Sequence, residues 1–564
     1  MKLRTLLSGP RSWLLMAPAF AVFTYIMWLA LISWSTVPLV DGWPVYNRVM
    51  MYLNGEISLV KFLLTPHGSH PNPVVYSLYL IDHFIGGRQL LPHLVQVACI
   101  ALTALFSSFF TYNAIVERAG HHKALLGAAL ALIAVPTLSI ESLAEYQSVL
   151  TSATLVYVVT LVAFAHVLKN DRREMDTALI LLSCLFAIFH GSGLMFGLIL
   201  FTEHMVIGRW RPSKLLSVAP ACVFLVWQHF WLPPGSGEMM AVKQVILGLN
   251  FQRVSDLVLG VSAFYATPFW PLASSRDMFP VIEAVGFVVS LVGLGWAALV
   301  LTLWRKTASA SATGLAFVAL FIGLQAASAS LLWEGRAVLG VAGTLGSVMA
   351  VLTSSRYAIV ATVACAITIV AFLQFPGRWL GVTLAGMMTA SLMVVDLTVF
   401  KQHEGLMDNL NLASTALLVD ATFTDKEAQD MWPGVAGDWY WPSQLKKLQA
   451  YMNANRLGYA AGVPALGTDS ELYWQTQIRG LAEEPTSVPN MCVVSGSILT
   501  FPRGIMMRPA TLGVADSSGQ VIGAVRIPRT VDPALIRGYV RCQPGVPHKD
   551  LRVLVVRPFG KSGR

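Results

Sequence analysis

Few residues in this chain are equipped for chemistry, and most of them stand beside apolar runs. Asp41 opens a polar stretch directly after the first such run, and His67 and His70 follow in the elbow Pro66-His67-Gly68-Ser69-His70-Pro71-Asn72-Pro73. Glu141 and Glu145 lie four residues apart, His190 heads His190-Gly191-Ser192-Gly193, and Gly335-Arg336 is followed later by Ser354-Ser355-Arg356-Tyr357. A positioned carboxylate can take a proton from a hydroxyl, and the planar guanidinium fits phosphate. Plainer roles suit the same residues. Asp-Gly favours a turn and Asp caps helices, arginine beside a span snorkels to headgroups, and two glutamates four apart share one helix face that is commonly solvated. His190, at membrane depth, must find a partner through packing or through a site.

The elements that would carry these residues are membrane spans. Of 564 residues, 55% are hydrophobic and only 12% charged, with a mean hydropathy of +0.62, values foreign to a soluble chain. Apolar runs of roughly 17 to 25 residues suffice to cross a hydrocarbon core as helices, and about eleven of them can be read, beginning with Trp13 to Ser33. A long run without a clean small-residue cleavage site favours an uncleaved anchor over a signal peptide.

Lys and Arg mark the cytoplasmic side. Lys2, Arg4 and Arg11 place the N-terminus there, as do the turns at Arg118 and Lys123, Lys169 to Arg173, Arg209 to Lys214, Arg305 and Lys306, and Arg378. The stretches holding the residues above then face the opposite side, and so does everything after Phe400. Within the first of these, Tyr46 to Leu64 reads as an amphipathic helix lying along the interface. The expected organisation is a transmembrane domain over 1–400 with an outer loop at 36–90, an extracytoplasmic helical segment over 401–460, and a small β-rich domain over 461–564.

In that last part, Val493 to Ile498, Val521 to Ile527 and Leu551 to Val556 have strand-like composition. Cys99, Cys184, Cys222 and Cys365 fall in spans, leaving Cys492 and Cys542 in the tail. A disulfide between these two suits an oxidising compartment, with a buried unpaired pair as the alternative.

The net charge of +9 is explained by anchoring residues beside anionic lipid. No stripe of cations with interleaved aromatics suggests nucleic acid. Walker, zincin, nucleophile-elbow and dinucleotide motifs do not occur, which sets aside ATP-driven pumps and the commoner hydrolases. Gly191, Gly193 and Gly197 read as helix packing or a helix break.

The order of these residues, with an acid after span one, the His67-Gly68-Ser69-His70 elbow, the His190-Gly191-Ser192-Gly193 break, and Gly335-Arg336 before Ser354-Ser355-Arg356-Tyr357, resembles bacterial polytopic glycosyltransferases of the GT-C superfamily. Within it the chain looks most like those that decorate O-antigen or other envelope polysaccharides. The likeness covers roughly residues 10 to 400 and, loosely, the segment ending at Arg456-Leu457-Gly458-Tyr459. The single Asp before Gly-Trp, where many relatives have two adjacent acids, and Gly68-Ser69 within the elbow depart from the pattern.

The resemblance implies transfer of a sugar from a polyprenyl-phosphate donor to a glycan hydroxyl at the outer face of a bacterial inner membrane. Asp41 would be the base, and Arg336 and Arg356 would receive the donor phosphate. His67, His70, Glu141, Glu145, His190 and Tyr357 would line the substrate site. No ligand spacing defines a metal or another cofactor, although Glu141 and Glu145 with Asp41 offer carboxylates to a divalent cation. Membrane lipids, the donor and the glycan acceptor are the expected partners. A polysaccharide polymerase or ligase, and a flippase or transporter for a lipid-linked sugar, are the competing classes. Against a transporter stand the lack of repeated hydropathy and the sizeable outer domain.

Overall fold

The structure, a computed structural model, describes residues 10–34, 42–65, 72–87, 89–139, 148–169, 180–181, 193–206, 212–231, 248, 251–273, 276–304, 306–338, 357–375, 377–419, 442–455, 457, 460, 474–476, 478–485, 490–498, 511–526, 535–542 and 551–555. In chain order the described helices are α1 (Pro10–Ile32), α2 (Gly42–Leu53), α3 (Leu59–Leu64), α4 (Pro73–Phe84), α5 (Leu90–Ala134), α6 (Ser148–Lys169), α7 (Gly193–Val206), α8 (Ala219–Trp231), α9 (Phe251–Ala266), α10 (Phe279–Thr302), α11 (Ala310–Val338), α12 (Ala358–Gln374), α13 (Arg378–Val419) and α14 (Pro442–Asn455). Seven strands follow: β1 (Trp474–Thr476), β2 (Ile478–Pro485), β3 (Met491–Ile498), β4 (Thr511–Ala515), β5 (Val521–Arg526), β6 (Leu535–Arg541) and β7 (Arg552–Val555).

Among the described residues five helical stretches are long and apolar enough to cross a membrane: Trp13–Ile32, Leu90–Ala134, Phe279–Thr302, Ala310–Leu331 and Trp379–Gln402. The second of these holds 45 residues. As one straight helix it would run about 68 Å, over twice a hydrocarbon core of about 30 Å. Gly120, at φ 81°, turns it instead, a backbone angle that costs a side-chain-free residue little. The two arms pack antiparallel, with Ser108 Oγ donating to Ala128 O at 2.8 Å and Gly127 facing Ile115 and Thr111. The turn lies between Arg118 and Lys123, two of the cations that mark a loop in the sequence.

By internal contacts the chain divides into two units. The first comprises Met1–Leu31, Leu63–Val75 and His93–Phe400. Its centre is α12, buried along almost its whole length and on every side, the pattern of a helix enclosed by others. Around it, backbones approach closely at small residues. A Cβ on Gly314 of α11 would meet the Val162 backbone of α6 at 2.7 Å, and one on Gly286 of α10 would lie 2.1 Å from the Ser262 carbonyl of α9.

The second unit comprises Ile32–Phe62, Tyr76–Pro92 and Lys401–Arg564. The expected helix over Tyr46 to Leu64 is here two helices. Gly55 at φ 75° ends α2, with Gly55 N bonded to Tyr52 O and Glu56 N to Met51 O, and Ser58 starts α3 by accepting the Lys61 N–H on its Oγ at 3.3 Å. Glycine at the C-cap and serine at the N-cap are stop and start signals that outweigh amphipathic periodicity. Further along, α13 runs unbroken from Arg378 to Val419.

The seven strands form one antiparallel sheet in the order β1-β7-β4-β5-β6-β3-β2. One face gathers Val494, Leu512, Val514, Val525, Ile536, Val540 and Val553. On the other, Met491 and Tyr539 pack against Leu412, Ala416 and Val419 at the end of α13. Cys492 and Cys542 are joined by a disulfide across the start of β3 and the residue after β6, with Cα atoms 5.8 Å apart.

Candidate functional site

Two parts of the segment after the first span, Ile32–Phe62 and Tyr76–Pro92, belong to the second unit. Tyr52 stacks on Phe62 (4.8 Å between centroids), Phe62 meets Tyr76 (5.8 Å), and Tyr46 meets Tyr79 edge-on (5.1 Å). Arg48 lies over the Tyr76 ring at 4.4 Å. Aromatic pairs in such geometry add stability beyond the area they bury. They fix α2 against its neighbours, and Asp41 is the residue immediately before α2.

A buried acid ties the far end of this segment. Asp82, 1% exposed, accepts the Gln89 N–H at 2.7 Å and the Leu91 N–H at 3.0 Å on its two carboxylate oxygens. Its own carbonyl accepts the Gly87 N–H at 2.7 Å. The clamp holds a turn in which Gly86, Gly87 and Gln89 all have positive φ, and Tyr46 Oη closes it by donating to Gly87 O at 3.2 Å. For Gln89, φ 60° is a strained conformation that surrounding contacts must hold.

Burial raises the Asp82 pKa, while the backbone N–H groups of Leu91, Gln89 and Leu90 and the neighbouring His83 pull it back. Burial lowers the His83 pKa, and the Asp82 charge opposes that shift. The His83 ring stacks at 6.2 Å on Tyr451 of α14, a helix that also packs on α2 and donates from Asn453 Nδ2 to Leu417 O of α13 at 3.3 Å. The segment after span one and the C-terminal helices therefore belong to a single packed body.

In the first unit, Asp396 of α13 is 2% exposed and accepts the Leu138 N–H on Oδ1 at 2.7 Å. Its Oδ2 meets no hydrogen-bond partner among the described residues. Leu138 lies just past Pro136, which lacks an N–H and ends the second arm of α5. Thr362 Oγ1 of α12 donates to Val135 O at 2.9 Å. Asp396 and Thr362 thus secure the exit of α5 directly before the stretch that bears Glu141 and Glu145. His93, 1% exposed, donates from Nε2 to Ala30 O of α1 at 2.9 Å; a carbonyl only accepts, so Nε2 carries the proton and Nδ1 presents a lone pair.

Of the residues proposed from sequence, Asp41, His67, His70, Glu141, Glu145, His190 and Arg356 lie outside the described residues. Arg336 falls near the end of α11, with only its backbone described. Tyr357 occupies the N-cap position of α12 without a side-chain capping bond and packs on Phe264 of α9 with centroids 4.9 Å apart. Glu483 comes within 4.8 Å of Cys492 and Cys542, but the disulfide consumes both sulfurs and leaves no thiolate for a metal. Sequence reasoning passed over Asp82 and Asp396. Each left a signal: Asp82 stands four residues before Gly86-Gly87, a turn, and Asp396 is a lone acid in the apolar run Met393 to Val399, where an ionisable group calls for a partner.

Span-length apolar helices around a buried central helix, with a helix-backed antiparallel sheet, define a multi-pass, mainly helical membrane protein with a small sheet domain. The sequence matches no protein-family model and no curated protein. Among solved structures the chain is similar to the archaeal oligosaccharyltransferase AglB from Archaeoglobus fulgidus, in complex with an inhibitory peptide and a dolichol-phosphate, at 11% identity and a TM-score of 0.34. The match covers 76% of this chain and 60% of AglB, less than two thirds of that protein's length. A likeness of this size assigns no activity.

Proposed function

We propose that the protein is an integral-membrane glycosyltransferase that moves a sugar from a polyprenyl-phosphate donor to a hydroxyl of an envelope glycan of the O-antigen or lipopolysaccharide kind. It would sit in a bacterial inner membrane with the N-terminus in the cytoplasm and the reaction at the periplasmic face. The observation that carries this reading is the construction of the segment after span one. Three short helices, an aromatic cluster and the Asp82 clamp give a rigid body to a stretch that begins at the candidate base, and a mere connector needs none of these.

In this reading Asp41 removes the acceptor's proton as its oxygen attacks the anomeric carbon, a contribution of about 10²- to 10⁴-fold in rate. The bond to the donor phosphate breaks, and Arg336 and Arg356 stabilise the charge that collects there in a poorly solvated site. His67, His70, Glu141, Glu145, His190 and Tyr357 hold donor and acceptor. Mass spectrometry of envelope glycans with and without the gene, repeated with Asp41→Asn, tests it. Loss of one sugar per repeat in both strains is expected. A change in chain length alone would point to a polymerase, and accumulation of carrier lipid inside the cell to a flippase; either overturns the transferase reading.

A further inference from the structure

Helix α4 is apolar on two sides. Val75, Tyr76, Tyr79 and Asp82 recur at helical spacing, are buried, and turn one face to the protein. The opposite face stands open: Ile81, Phe84 and the adjoining Ile85 are 50, 71 and 64% exposed. A helix that borders water carries charged or polar residues on its outer face, and this face has no charged residue. The acid of α4, Asp82, is held inside the turn clamp. Its histidine, His83, is half-buried with the ring stacked on Tyr451.

The clamp ties this open face to the start of a span. Ile85 N is bonded to Ile81 O at 3.2 Å and Gly87 N to Asp82 O at 2.7 Å, and the Asp82 carboxylate holds the backbone N–H groups of Gln89 and Leu91. Leu90, the first residue of α5, is exposed, and Leu94 is exposed one turn further on. The open apolar surface continues along the same helix at Leu102, Leu105 and Phe106. Ile81, Phe84 and Ile85 therefore extend a surface that belongs to a membrane-crossing helix.

Helix length sets the depth of the turn. At a rise of about 1.5 Å per residue, Leu90 lies about 42 Å along α5 from Arg118, the cation just before the turn at Gly120. A bilayer with its headgroup layers is about 40 to 45 Å thick. When Arg118 meets one headgroup layer, Leu90 meets the other, and the clamp keeps Phe84 and Ile85 at that boundary.

We propose that Ile81, Phe84 and Ile85 insert among lipid acyl chains at the membrane boundary where α5 begins, so that α4 lies in the interface with lipid on one face and protein on the other. The partner is the bilayer itself. Continuity with the exposed surface of α5, and an outer face without charge, select lipid over a soluble partner. This placement holds whatever reaction the protein performs, so it stands or falls separately from the sugar-transfer reading.

Photocrosslinking of the full-length protein in phosphatidylcholine nanodiscs tests it. A benzophenone amino acid is placed, one site at a time, at Phe84, at Ile85, at Leu291, which is exposed on the span α10, and at Ser517, which is exposed in the turn between β4 and β5. Mass spectrometry of the irradiated protein is expected to find phospholipid adducts at Phe84 and Ile85 in yields matching Leu291 and at least tenfold above Ser517, with the new bond on an acyl chain. Yields at Phe84 and Ile85 no higher than at Ser517 overturn the proposal. Adducts confined to the headgroup overturn the insertion, and a crosslink to a second copy of the chain in place of lipid overturns it by giving the face to self-association.

Discussion

Replacing Asp82 with alanine removes both carboxylate acceptors of the turn that ends the segment after span one. The Gln89 and Leu91 N–H groups, held at 2.7 and 3.0 Å, are then left without the carboxylate in a buried setting. Each such bond contributes about 1 to 1.5 kcal/mol, so the local loss is about 2 to 3 kcal/mol. The loss falls on a turn already strained at Gln89, where φ is 60°, and it loosens the carbonyl that receives the Tyr46 hydroxyl. Local opening governs amide exchange, and each 1.4 kcal/mol is tenfold, so a peptide spanning 85–91 should exchange about 30- to 140-fold faster in Asp82→Ala than in the wild type. Hydrogen-exchange mass spectrometry in detergent reads this directly, with the α12 peptide as an internal reference that should not move. If the 85–91 peptide keeps its wild-type protection, the clamp is not what holds the turn and the reasoning fails.

Four further outcomes are expected. Burial holds the Asp82 pKa above its ordinary 3.8, so its neutral form stabilises the fold at acid pH, and that contribution disappears as pH climbs from 3.8 through the raised folded value; Asp82→Asn lacks the titration, so the wild type's unfolding temperature should drop relative to this variant over the same rise. Gly286→Ala would set a methyl 2.1 Å from the Ser262 carbonyl and 2.6 Å from Ala266 N, backbone that cannot rotate aside. A cost of about 1 to 3 kcal/mol and a fall in folded yield follow, whereas Gly295→Ala on the same helix, with nothing within 4 Å, should be silent in size-exclusion recovery. Removing the disulfide with Cys492→Ala and Cys542→Ala opens a loop closed over a separation of 50 residues and should cost the sheet about 2 to 4 kcal/mol, seen as a lower unfolding temperature that reductant no longer shifts. Asp396→Asn keeps an oxygen for the Leu138 N–H and should fold, while Asp396→Leu should lose about 1 to 3 kcal/mol; equal thermal stability of the two would remove Asp396 as the tie on α5.

How far the sequence reveals this architecture depends on the range of the interaction concerned. Spans declare themselves locally, since hydropathy over some twenty residues is the physical requirement itself. Strands in the tail are similarly legible: the stretch Val493 to Ile498 lies within Met491–Ile498, and Val521 to Ile527 nearly coincides with Val521–Arg526. Helix ends are harder, because single residues decide them. Asn54-Gly55 stops α2 in the middle of an amphipathic pattern, yet Gly405 does not stop α13. A glycine inside a helix costs only about 1 kcal/mol, and the packing of Leu412, Ala416 and Val419 on the sheet outweighs that.

What the sequence hides is any juxtaposition made by distant segments. Asp396 and Leu138 are 258 positions apart, and no local pattern around either announces the other. The acid is conspicuous in its apolar run, but its partner is a backbone N–H, which has no letter of its own. Arg526 and Arg537 are opposed only because β5 and β6 pair in one register, and a slip of one residue would send the two side chains to opposite faces. The same logic bears on the candidate reaction centre. Asp41, Arg336 and Arg356 are selected by residue type and by position relative to spans, which identifies groups able to do the chemistry; their convergence is a long-range property of the same kind as the Asp396 tie. Asp82 shows how such a property can be anchored by short-range means: an acid four residues before two glycines fixes a turn, the turn fixes Tyr46 through Gly87, and Tyr46 belongs to the helix that begins one residue after Asp41. Disturbing Asp82 should therefore reach the proposed base through this chain of contacts, lowering sugar transfer in Asp82→Ala even though the substituted side chain lies 41 residues away in sequence, whereas Asp82→Asn, which retains one acceptor, should retain more of it.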